Sequence, residues 1–145
     1  MDDTRILLAH GNGGRLMREL IAGVFAHHLG NPLLDTDADA VALPRIDGEL
    51  MLTTDGFTVE PLEFPGGDIG SLAVHGVVND LAVAGADPVY CTLSALIEEG
   101  LEIATLERCI ASFARAAREN HMAVVAGDTK VVRRGEGGGL YLSVA

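Results

Sequence analysis

The run Leu72-Ala-Val-His-Gly-Val-Val-Asn-Asp-Leu-Ala-Val-Ala-Gly-Ala-Asp-Pro88 constrains the fold most: it is helix-compatible and apolar on nearly every side, yet Asn79 and Asp80 sit in its middle. It stops at Gly85 and Pro88, both helix-ending signals, and Asp68 upstream is placed to cap it. An amide and a carboxylate side by side in a greasy helix are costly to bury unless something binds them. The pair is either a solvated helix edge or part of a ligand site, and the other acidic positions favour the ligand site.

A chain of 145 residues, 48% of them hydrophobic, is one ordinary domain that can bury most of its apolar surface without staples. Its 21 Asp and Glu against 10 Lys and Arg, a net charge of −11, argue against nucleic acid as a partner. Phosphates remain accessible to such a chain through a divalent cation or backbone amides. The two cysteines, Cys91 and Cys109, have no zinc spacing and read as buried residues in a reducing compartment. Met1-Asp-Asp-Thr lacks the basic start of a signal peptide, and no apolar run is long enough to span a bilayer, so a soluble, cytoplasmic protein without a membrane partner is expected.

Ile6–Ala9 leads into His10-Gly-Asn-Gly-Gly14, a loop rich in residues that tolerate positive φ. Leu16, Leu20, Ile21 and Val24 then recur at helical spacing and predict about four turns ending near Gly30. Val41–Leu43 and Glu49–Thr54 read as two strands around a turn at Ile46–Gly48, and Val89–Ile97 as a buried strand. Thr105 reads as the cap of a second long helix with Leu106, Ile110, Phe113, Ala114 and Ala117 on its apolar stripe. Ala123–Ala126 reads as a short strand stopped by Gly127-Asp128 and continued by Val131-Val132, and Leu140–Ala145 as the start of a further one. Strands outnumber helices and many are joined by turns, which favours an α+β fold with helices on one face of a sheet over a doubly wound parallel sheet. The chain ends on an apolar run, which is expected of a piece of a longer protein.

Asp39, Asp55, Asp80 and Asp128 each fall at or beside the end of an element rather than on a charged stripe. Read singly, each is a turn aspartate; as a set they suit Mg²⁺, which prefers oxygen ligands completed by water and substrate phosphates. Lys130 adds a cation suited to a phosphate oxygen. The glycine loop matches neither the dinucleotide fingerprint nor the P-loop.

Together, His10-Gly-Asn-Gly-Gly14, Thr53-Thr-Asp-Gly-Phe57, Pro65-Gly-Gly-Asp-Ile-Gly70, Val74-His-Gly-Val-Val-Asn-Asp-Leu81, Glu98-Glu-Gly100 and Ala126-Gly-Asp-Thr-Lys-Val-Val132 closely resemble the HypE family of hydrogenase maturation proteins. That family belongs to the aminoimidazole ribonucleotide synthetase (PurM-like) superfamily. The resemblance implies that residues 1–145 form an N-terminal ATP-binding and dimerisation domain, with a mixed or antiparallel sheet that pairs with a second copy to close a barrel. It implies ATP and Mg²⁺ as cofactors, with Asp39, Asp55, Asp80 and Asp128 handling metal and phosphate. Asn79, Thr129 and Lys130 would be their polar partners, and His10, Gly11, Asn12, Gly13 and Gly14 the mobile loop over the phosphates. It further implies dehydration of an S-carbamoyl group on a C-terminal cysteine to a thiocyanate for the cyanide ligands of a [NiFe]-hydrogenase iron, with the carbamoyltransferase HypF and the HypC–HypD complex as partners. The second domain and the terminal cysteine are absent from these 145 residues, so the catalytic residue is unknown. Selenophosphate synthesis is the rival within the superfamily, and a non-catalytic dimeric scaffold the rival outside it.

Overall fold

The computed structural model describes residues 4–145; the acidic start at Met1–Asp3 lies outside them. A 3₁₀ turn at Leu8–Gly11 leads into a helical stretch that is α-helical at Arg15–Leu20 (α1), π-helical at Ile21–Ala26 and α-helical again at His27–Leu29 (α2). The stretch has the length its apolar spacing predicts, with a π-helical middle that the spacing does not reveal.

Two strands expected between residues 41 and 54 do not form. That segment is irregular, and Leu50 and Leu52 are 71% and 87% exposed. Their strand-like pattern finds no neighbouring strand to pair with among the described residues, and a strand without a partner leaves its backbone groups to water. Regular pairing begins only at Asp55–Phe57 (β1); Glu63–Phe64 (β2) and Gly67–Asp68 (β3) then form a small hairpin.

Asp68 caps the next helix, Ile69–Val83 (α3), accepting from the Gly70 and Ser71 backbone N–H groups at 2.7 and 3.0 Å. A cap of this kind contributes about 1 kcal/mol. Tyr90–Glu98 (β4) runs parallel to Ala123–Val132 (β5), and a parallel pair requires a crossover. Helix Ile103–Glu119 (α4) supplies it, starting two residues before Thr105; Glu102 stands at the N-cap without a side-chain cap bond. Leu140–Val144 (β6) pairs antiparallel with both β4 and β1, giving a mixed sheet of order β1-β6-β4-β5. β5 does not stop at Gly127-Asp128 but runs through them, because β4 pairs with it continuously from Thr92 to Glu98, past a register shift at Cys91/Thr92.

The fold is the expected α+β type, with α3 and α4 packed on each other and over one face of the sheet. Leu93, Ala95 and Ile97 of β4, Leu140, Leu142 and Val144 of β6, Ile69, Val74 and Val77 of α3, and Leu106, Ile110 and Phe113 of α4 form the core, all buried. Burying side chains of this size contributes roughly 1.5–3 kcal/mol each. The other sheet face, with Thr92, Ser94, Leu96, Tyr141 and Ser143, is exposed or half-buried. Among the described residues the sheet is open, with β1 and β5 as its edges, and closes no barrel.

Glu98 fastens the glycine-rich connection between β5 and β6. Its Oε1 accepts from the Gly135 N–H at 2.7 Å, and its Oε2 from those of Gly137 and Gly139, both at 3.1 Å. The Gly135 and Gly139 bonds, with smaller help from Gly137 and Arg134, hold the carboxyl below its ordinary value of 4.5. A lowered carboxylate pKa stabilises above the unfolded value and loses that contribution as pH falls through the folded one. The amide NMR shifts of Gly135, Gly137 and Gly139 should therefore move together with a midpoint below 4.5. A midpoint above it contradicts the contact.

Candidate functional site: a cavity at the edge of β5

Between the π-helical segment and edge strand β5 lies a cavity of about 480 Å³. That is within the range of small-molecule sites, about 300–1,000 Å³. Met17, Ile21, Phe25, Leu34 and Val125 supply apolar walls, and Asp39, Asp128 and Thr129 also line it.

Strand alternation divides the Ala126-Gly-Asp-Thr-Lys130 motif between two faces. Thr129 is in register with Ala95 and faces the helix side; Asp128 and Lys130 are in register with Ser94 and Leu96 and belong to the open face. The Thr129 hydroxyl oxygen is shielded from solvent and has no hydrogen-bond partner. Most buried polar atoms are paired, so an orphan of this kind calls for an explanation.

The glycine loop lies against the same strand. His10 is buried, its Nδ1 accepting from the Leu7 N–H at 3.0 Å, and a Cβ on Gly11 would come within 2.8 Å of the Val131 Cβ. Only glycine allows the loop to approach β5 so closely at this point. Gly13 has φ of +78°, and the Gly14 N–H donates to Asn12 Oδ1 at 3.2 Å. His10 and Gly11 are thus part of a defined 3₁₀ turn, and the expected loop is confined to Asn12–Gly14.

The four aspartates are not brought to one point in a single protomer. Asp55 opens β1 and Asp128 lies within β5, so neither follows a strand, and the two occupy opposite edges of the sheet. Three strand spacings of about 4.8 Å place them roughly 14 Å apart, too far to share one ion. Asp80 belongs to the β1 side, where its Oδ2 accepts from the Thr53 hydroxyl at 3.2 Å. Asp39 shares the cavity with Asp128. The carboxylates therefore form two pairs, and among the described residues no group of three His, Cys, Asp or Glu side chains could hold a metal. Mg²⁺ commonly takes only one or two carboxylates with water and phosphate oxygens, so Asp39 and Asp128 at one cavity have the donor chemistry it needs, whereas the full set of four is not gathered in this protomer.

Asn79 and Asp80 are both exposed in this protomer. Both cysteines are buried, and burial pushes each thiol up to about 12, which leaves neither available as a thiolate nucleophile. Sequence spacing also missed the cavity: Ile21 reads there only as one position of a helix's apolar spacing, and the stop expected at Gly127-Asp128 concealed that Thr129 faces away from Lys130.

Residues 36–145 match the family model described as AIR synthase related protein, N-terminal domain. The chain is 50% identical over 138 residues to the carbamoyl dehydratase HypE of Bradyrhizobium diazoefficiens, covering 95% of this chain and 40% of that one. A crystal structure of the hydrogenase maturation protein HypE in complex with ATP superposes with a TM-score of 0.91 at 47% identity, over 95% of this chain and 41% of the other. A crystal structure of a HypE–HypF complex gives 0.65 at 43% identity, over 90% and 41%. The chain thus spans about two fifths of the length of the relatives it matches, and no described helix is long and apolar enough to cross a membrane. The resemblance noted in the motifs extends over nearly the whole chain, and the chain belongs to the AIR synthase related family through that family's N-terminal domain.

Proposed function

We propose that these residues are the ATP-binding, N-terminal part of a carbamoyl dehydratase that serves hydrogenase maturation. The observation that carries the reading is the cavity beside β5, lined by Asp39, Asp128 and Thr129, in a fold that superposes closely on a HypE–ATP complex. Asp39 and Asp128 are the carboxylates we assign to a Mg²⁺ ion that accompanies the nucleotide; such an ion offsets phosphate charge. Lys130 on the neighbouring face is assigned to phosphate oxygens, with the Asn12–Gly14 loop beside them. In the complete protein ATP would convert the carbamoyl oxygen of a terminal S-carbamoyl-cysteine into a leaving group, and the thiocyanate would supply cyanide to the iron.

A second copy of the chain is the proposed structural partner. The two carboxylate pairs lie on opposite edges of an open sheet, and a two-fold pairing of sheets would set Asp39 and Asp128 of one copy near Asp55 and Asp80 of the other. HypF is the proposed carbamoyl donor, and the HypC–HypD complex the proposed acceptor of cyanide.

Titrating Mg-ATP into the intact protein tests this reading. The wild type should bind, and Asp80→Asn should bind more weakly. No binding by the wild type would sink the nucleotide assignment and leave the non-catalytic scaffold. If the intact protein, carbamoylated on its tail, consumed no ATP and formed no thiocyanate, the dehydratase assignment would fail even with ATP bound.

A further inference from the structure

We infer that Met17 is a positioning residue, a latch whose sulfur holds the Gly13 N–H until a phosphate oxygen takes it; the inference rests on the nucleotide assignment and says how the Asn12–Gly14 loop is released to the ligand. One side chain joins the two parts of the site. Met17 lines the cavity beside β5, and its Sδ accepts from the Gly13 N–H at 3.2 Å. Helix geometry produces the contact: Met17 lies in the first turn of α1, where a long side chain leans back toward the helix N-terminus and over the residue four positions earlier. Gly14, at the N-cap, has no side chain to take that place.

Among the contacts of the loop, the sulfur is the one most readily replaced. The Gly14 N–H donates to an amide oxygen of Asn12, and the Gly13 carbonyl accepts from Arg18 Nη1 at 3.4 Å, whereas the Gly13 N–H is held by a thioether, a weak acceptor. An anionic oxygen makes a shorter bond to an N–H, roughly twice as strong as a neutral one. Gly13 is exposed, so a phosphate reaches it without entering the core. Methionine is unbranched and flexible, so its sulfur can swing aside while α1 stays in place.

Affinities of the intact protein for Mg-ATP and for Mg-tripolyphosphate test the inference in Met17→Leu and Met17→Gln. Leucine has nearly the volume of methionine and no acceptor; glutamine has a similar length and an amide oxygen, a better acceptor than the sulfur. With no latch to open, Met17→Leu should bind both ligands about twofold more tightly than the wild type. With a firmer latch, Met17→Gln should bind both more weakly, by roughly threefold or more. A residue that serves only as a wall or as packing would not place the two variants on opposite sides of the wild type. Any other order, including equal weakening or no change in both, would overturn the latch while leaving nucleotide binding intact. In the wild type, Mg-tripolyphosphate should shift the Gly13 amide NMR resonance, and a Gly13 amide unmoved at saturation would also count against the latch. Failure of the wild type to bind Mg-ATP would remove the assignment beneath it.

Discussion

Gly70→Ala should cost about 3 kcal/mol of stability, near the upper end of the range for overpacking by one methyl group. Gly70 lies in the first turn of α3, where that helix meets α4. A Cβ at this position would overlap the Cys109 carbonyl oxygen and sit 2.9 Å from the Phe113 backbone nitrogen. Both are backbone atoms of a helix whose side chains fill the core, so neither can move aside cheaply. The helices must separate or tilt, and the buried Ile69, Val74 and Phe113 lose packing with them. Urea unfolding should show a midpoint lowered by about 1 M or more. Gly23→Ala is the control, because a Cβ there meets nothing within 4 Å and alanine favours helix by up to about 1 kcal/mol. Equal midpoints for the two variants would contradict the close α3–α4 contact.

The same helix marks where sequence patterning succeeds and where it stops. Asp68 is legible as a cap because capping is local: the carboxylate and the N–H groups it satisfies lie within three residues. The apolar stripe of α4 is legible for the same reason, since its period matches one helix face. Strand pairing is different. Leu50 and Leu52 carry a strand-like pattern, but a strand exists only where a neighbour pairs with it. Ala123–Val132, which carries Gly127 and Asp128 in its middle, persists because β4 pairs with it up to Glu98. The Glu98 contacts were equally hidden, since the carboxylate and the amides it binds lie 37 to 41 positions apart.

For the site, the types of residue were legible and their grouping was not. Motif spacing singled out Asp39, Asp55, Asp80 and Asp128, yet only the strand order β1-β6-β4-β5 separates them into two pairs. Likewise, the resemblance groups Thr129 and Lys130 as partners of the carboxylates, whereas alternation along β5 directs them to opposite faces of the sheet.

That division gives Lys130 the second large effect. It is the only lysine in a chain of net charge −11, it is exposed, and it shares the open sheet face with Asp128. A nucleotide approaching such a surface is repelled by most of what it meets, so one well-placed cation beside a carboxylate carries unusual weight. A hydrogen bond to a charged group contributes about 1.5–3 kcal/mol. Lys130→Ala should therefore weaken Mg-ATP by roughly 30-fold, about 2 kcal/mol. Because the lost contact is with phosphate, Mg-tripolyphosphate, which lacks base and sugar, should weaken by the same factor. Added salt should narrow the gap between wild type and variant, as screening removes the charge contribution. The melting temperature should stay within a degree or two, because the exposed side chain supports no core contact. Undiminished affinity for both ligands would remove Lys130 from the phosphate site and leave the carboxylate pairs without a cationic neighbour on that face.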